Sequence, residues 1–196
     1  MCHIDVLVNA IKDVDVNAFA HIDNRGVEIL NERSFAYELY RVWYNLNKRN
    51  KSGLVINAEI TKRIEDKFKK KTEELFKEKT ERFLPDMVLH QSQWDSAAQE
   101  LICEIKIFNN LTIESLLKDL KKLVAYTTQD CVLYHPFKEA VFILVNCTKK
   151  LLTEKFTLEE IKEYKNKPIT CLFVNIRESI SVERCSMSEL FEHNLK

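Results

Sequence analysis

Residues 84–107 read LPDMVLHQSQWDSAAQELICEIKI. Two apolar segments, DMVLH and ELICEIKI, flank a polar stretch centred on Trp94 and Asp95. The spacing predicts two strands joined as a hairpin. Side chains alternate faces along a strand, so Asp86, Val88 and His90 share one face. Ile102, Glu104 and Lys106 share one face of the second strand. A hairpin folded about Asp95 pairs residues whose numbers share one sum, which sets Asp86 opposite Glu104. Opposed Cβ atoms lie about 5 Å apart, and Lys106 falls one pleat repeat, about 7 Å, further along. A turn displaced so that the sum moves by two makes the carboxylates diagonal neighbours instead. Charges in such apolar company are kept when they are paired, bound to a metal or used in a reaction.

The flanking sequence alternates between helical and strand periods. Apolar residues at Ile4, Leu7, Val8, Ile11, Val14, Ala18, Phe19 and Ile22 predict an amphipathic helix from Ile4 to Ile22. Asn31 to Asn47 is a second helix, with Phe35, Leu39, Val42, Trp43 and Leu46 as its core stripe. LVINAEI (54–60) is a strand. Thr61–Glu81 is charge-dense and reads as a partly exposed helix; residues 61–82 hold nine basic against six acidic side chains. After the hairpin, Ile113, Leu116, Leu117, Leu120, Leu123 and Val124 form a strong helical stripe. EAVFILVN (139–146) and PITCLFVNIR (168–177) are continuous apolar runs, as strands covered on both faces are. Between them TLEEIKEYK reads as a helix opened by a capping box of Thr157 and Glu160. SMSELFEHNLK suits a short terminal helix. The interleaving predicts an α/β fold, a mixed central sheet of about five strands with helices on both faces.

Composition narrows the function classes. The 196 residues are 45% hydrophobic, enough for one domain with a sizeable core. Net charge is zero, so any nucleic-acid or membrane surface must be local. Two Gly and three Pro argue against a loop-rich all-β fold. The six cysteines form no CxxC pair and no zinc-spaced cluster with histidine, which reads as a reduced, cytoplasmic protein. No secretory leader pattern and no bilayer-spanning apolar run occurs.

Two close carboxylates repel and want a divalent cation or a shared proton. Oxygen ligands suit Mg²⁺, with Mn²⁺ as a substitute. A neighbouring lysine can orient or deprotonate a water and stabilise charge developing on a phosphate. The plain alternative is a cross-strand salt bridge.

Pro85-Asp86 followed by Glu104-Ile105-Lys106 resembles the signature of the PD-(D/E)XK nuclease superfamily. The surrounding elements, from Asn31 to Asn146, resemble it as well: a helix, a strand, the hairpin, a Leu- and Lys-rich crossover helix and an apolar strand. Glu32-Arg33-Ser34, Pro85 to His90 and Glu104 to Lys106 are similar to a bacterial subgroup with an ERS, PDxxxH and ExK pattern. The resemblance implies a restriction-endonuclease-like fold over 1–196, with a helical extension at 1–30, a nuclease-like core at 31–146 and completing elements at 147–196. It implies a Mg²⁺-dependent endonuclease acting on DNA. Asp86, Glu104 and Glu32 would hold the metal and Lys106 would position water. Glu38 and Glu59 are alternative third carboxylates. Lys121 and Lys122 are candidates for the nucleic-acid backbone, or ordinary solvated lysines. His90 and His135 read as strand-end and loop residues. Trp94 either stacks on a base or packs on a helix. The competing function is a catalytically silent binding or assembly module of the same fold. The oligomeric state, a homodimer included, is left open.

Overall fold

The first helix, α1 (His3–Lys12), buries Ile4, Leu7, Ala10 and Ile11 along one face and ends at Asp13. In this computed structural model the residues described are 2–22, 24, 26, 28–50, 52–58, 62–63, 82–83, 85–91, 99–128, 136–157, 159–176 and 179–192. The helix predicted to reach Ile22 therefore stops ten residues short. Val14, Val16, Ala18, Ala20 and Ile22 also alternate, and the extended reading wins over Ala20–Ile22. Asp15 turns the chain: its side chain accepts from the Asn17 N–H at 3.0 Å, and its own N–H donates to Glu38 Oε1 at 3.1 Å. A single 3₁₀ turn follows at Val16–Ala18, then a ladder of β1 (Ala20–Ile22) and β2 (Glu28–Leu30).

Helix α2 (Glu32–Arg49) begins where Asn31 accepts from the Ser34 N–H at 2.9 Å, a side-chain cap on an otherwise orphaned donor. Strand β3 (Val55–Ala58) follows. A short ladder joins β4 (Lys62–Arg63) to β5 (Arg82–Phe83). The rest of the helix predicted over Thr61–Glu81 lies outside the described residues, as do Glu59, Trp94, Asp95 and His135. Then come β6 (Met87–His90), β7 (Gln99–Ile107) and α3 (Ile113–Thr127), the last opened by a reciprocal cap between Thr112 and Ser115. Strand β8 (Glu139–Val145), α4 (Lys149–Lys155), β9 (Ile169–Asn175), β10 (Ser181–Ser186) and α5 (Met187–Glu192) complete the chain.

The main sheet runs β10-β9-β8-β7-β6-β3. Strands β7, β8 and β9 are parallel to one another, and β10, β6 and β3 pair antiparallel at the two ends. It is the expected mixed sheet, with six strands rather than about five. The addition is β10, whose sequence SVERCS is too polar to read as a strand. Its Glu183 and Arg184 are exposed, as suits an unpaired sheet edge. The second correction is TLEEIKEYK. Thr157 N–H and Oγ1 both reach Glu160 Oε2 at 2.8 Å, so the local cap forms. Among the described residues only one 3₁₀ turn, Lys162–Tyr164, follows; Ile161 and Tyr164 are the buried anchors described there, and Pro168 bars continuation. The helix in this crossover is the earlier α4, capped by Thr148.

Alternation assigns each sheet residue to a layer. Ile102, Ala140, Phe142, Leu144, Cys171 and Phe173 pack with Leu116, Leu120 and Leu123 of α3 on one face. Cys103, Ile105, Val141, Ile143, Leu172 and Val174 pack with α1 and α2 on the other. No helix among the described residues is long and apolar enough to cross a membrane. Phe142, wholly buried in the central strand, is the test of this layering. Phe142→Ala is expected to lower the unfolding free energy by about 3–5 kcal/mol, read by urea denaturation.

Candidate functional site

Strand register brings the site together. Met87 pairs with Cys103, Val88 with Ile102 and Leu89 with Leu101, all on one constant sum. That is the sum expected for a turn about Asp95. Continuing it by one residue sets Asp86, in the bend before β6, against Glu104. A bulge between Leu89 and His90 breaks the register only on the side towards the tip. Asp86 Oδ2 accepts the Ile105 N–H at 2.6 Å, which pins the carboxylate to β7 beside Glu104.

Glu104 and Lys106 project on the face covered by α3. Glu104 is 1% exposed, and its Oε2 meets Lys122 Nζ at 2.8 Å. Its Oε1 is buried and has no hydrogen-bond partner. Lys106 Nζ reaches Glu32 Oε1 at 3.1 Å and the Ile105 carbonyl at 3.1 Å. Asp119, from α3, ties the two lysines together: Oδ1 lies 2.8 Å from Lys122 Nζ and Oδ2 lies 3.2 Å from Lys106 Nζ. The second contact is an ion pair without hydrogen-bond alignment. Six charged side chains from α2, the β6 entry, β7 and α3 thus form one continuous cluster.

Burial raises the Asp86 carboxyl above its ordinary value, against the Ile105 N–H and the two lysines. Glu104 is raised well above its ordinary range, first by burial and then by Asp86 and Asp119, with Lys122 opposing. Burial alone would lower Lys106, but Asp119, Glu32 and Asp86 outweigh it, and the ammonium is held above its usual value. Lys122 is raised in the same way by Glu104 and Asp119. Both lysines are charged at neutral pH.

The predicted residues divide clearly. Glu32, Asp86, Glu104 and Lys106 come together. Glu38 does not join them: it is buried at the other side of α2, holding Arg41 at 2.6 and 2.8 Å and the Asp15 N–H. Glu59 lies outside the described residues. Lys121 is exposed on α3, whereas Lys122 turns inward, because both carboxylates that can satisfy it lie on the core side. His90 ends β6 with its Nε2 at 2.6 Å from Asn57 Nδ2. Asp119 escaped the sequence reading. Its signal was phase: it falls between Leu116 and Leu123, a charge on the apolar stripe of α3.

Among the described residues, no group of three or more His, Cys, Asp or Glu side chains stands in metal-holding geometry. Comparison of the chain with protein-family models, with curated proteins and with solved structures finds no match in any of the three.

A raised carboxyl makes stability depend on pH. Above the unfolded value of 4.5, native Glu104 keeps a proton that the unfolded chain has released. Over that window the native state binds more protons, so stability falls as pH rises. Glu104→Gln is expected to flatten this fall above pH 4.5, measured as urea midpoints across a pH series; an unchanged slope would assign the effect elsewhere.

Proposed function

We propose that this chain is a metal-dependent nuclease of the PD-(D/E)XK type, hydrolysing phosphodiester bonds in DNA. One observation carries the reading. Four carboxylates, Glu32, Asp86, Glu104 and Asp119, face two ammoniums, Lys106 and Lys122, in one cluster. With all six ionised, two negative charges remain in a largely desolvated place. A divalent cation matches that excess.

The donor set fits a hard ion. Asp86 and Glu104 offer only oxygen, and Glu104 Oε1 is a buried acceptor with no donor. These two residues would hold Mg²⁺, or Mn²⁺ in its place, with Glu32 alongside. Bound there, the ion would supply Lewis acidity and lower the pKa of a water. The protein's own groups do the rest. Lys106, fixed by Glu32 and Asp119, keeps its proton at neutral pH. It therefore orients the attacking water and stabilises charge on the phosphate, and does not act as the base. Lys122 and Asp119 are positioning residues: one holds Glu104, the other links the lysines. The free thiols of Cys2, Cys103, Cys147, Cys171 and Cys185 go with a reducing, cytoplasmic setting.

A second reading, a silent binding module, is favoured by Lys122. Its ammonium already neutralises Glu104, and among the described residues no three of the carboxylates stand in metal-holding geometry. Calorimetric titration with Mn²⁺ separates the two. The nuclease reading expects binding that Asp86→Asn abolishes, and Mg²⁺-dependent cleavage of DNA that falls at least a hundredfold in Asp86→Ala and Lys106→Ala. Folded protein that neither binds Mn²⁺ nor cuts DNA would leave the silent module.

A further inference from the structure

Helix α2 sends its N-terminal Glu32 into the cluster, and its outer face carries a second pattern. Arg33, Tyr37, Arg41, Tyr44 and Lys48 are all exposed. At 3.6 residues per turn they fall within an arc of about 80°. They form a straight stripe on the side away from the core. Arg49 adds another exposed cation at the helix end.

The charges on this face are of one sign. Every exposed charged residue of α2 is basic. Its two acidic residues are turned away: Glu32 is half-buried against Lys106, and Glu38 is buried beneath Arg41. Arg41 remains 60% exposed while it holds Glu38. In a chain of zero net charge this is a local excess of cations, the form a phosphate-binding surface must take here.

Between the cations stand two aromatic rings. Tyr37 is 52% and Tyr44 43% exposed, against the habit of aromatic side chains to bury. Tyr40 stacks against Tyr44 with centroids 5.9 Å apart and planes 27° from parallel, which props the outer ring in place. Tyr37 and Tyr44 are seven residues apart, about 10 Å along the helix. Exposed rings spaced among cations are the platform on which unpaired bases stack.

We infer that the outer face of α2 binds a single-stranded segment of nucleic acid, with bases stacked on Tyr37 and Tyr44 and phosphates met by Arg41, Lys48 and Arg49. The inference deepens the nuclease reading and rests on it for the choice of partner. It places the bound strand on the same helix that supplies Glu32.

The test is fluorescence anisotropy with a labelled 20-nucleotide single strand and its duplex, in EDTA so that nothing is cut. Wild type is expected to bind the single strand more tightly than the duplex. Tyr37→Ala/Tyr44→Ala is expected to lose single-strand affinity at least about tenfold and to lose the preference. Tyr37→Phe/Tyr44→Phe, which keeps the rings, should retain both. Lys48→Gln should reduce the salt slope by about 0.7, and it reads the same surface if the tyrosine variant fails to fold. Unchanged affinity in the folded alanine variant, equal loss on duplex, or a wild type that binds no oligonucleotide would overturn the inference. Binding that obeys these variants in a protein that never cuts DNA keeps the stripe and removes the nuclease. Cutting with unaltered affinity in the alanine variant does the reverse.

Discussion

A carboxyl group at 1% exposure inside a sheet must either meet opposite charge or keep its proton. Glu104 stands in that position in β7, and much of the surrounding architecture answers it. Lys122 can meet it only if α3 lies across β7 at that height. Leu116, Leu120 and Leu123 hold the helix there through the apolar core. Asp119 then divides its two oxygens between Lys122 and Lys106. The packing of α3 and the neutralisation of Glu104 are therefore one constraint, satisfied by the same helix. Truncating Lys122 removes the cation that meets buried Glu104 Oε2.

The same constraint gives the cluster its chemical potential. Two lysines do not balance four carboxylates, and burial together with the neighbouring carboxylates holds the Asp86 and Glu104 carboxyls above their ordinary values. Helix α2 shows a parallel sorting of charge: its acidic groups turn inward and its cations face water. A formal charge of zero over the whole chain conceals both local features.

Much of the fold was legible from periodicity. Strands β7, β8 and β9 are apolar enough, and α2 and α3 regular enough, that burial and period point the same way. Parity was equally informative for the site. Asp86, Glu104 and Lys106 fell on one predicted face, and the hairpin's constant sum holds as far as Met87. Where two readings shared the same residues, the pattern failed. Val14 to Ile22 serves a helix and a strand alike, and Asp15 decides between them through Asn17 and Glu38. Strand β10 was invisible because an edge strand has a solvated side and needs no apolar run. The capping box at Thr157 formed without a helix, since a cap opens a helix but cannot supply its buried face.

By itself the sequence determined the layer each strand residue joins, because alternation and apolar content are local properties. It allowed, without forcing, the opposition of Asp86 and Glu104, which holds for a turn about Asp95. Tertiary structure alone decided what surrounds them. Lys122 and Asp119 approach through a crossover helix, and Glu32 through a helix on the opposite layer. None of those distances is written in local spacing. Glu38 and Glu32 stand on one helix six residues apart, yet one caps a turn and the other holds Lys106. The difference lies in which element packs beside each, and only the folded chain settles that.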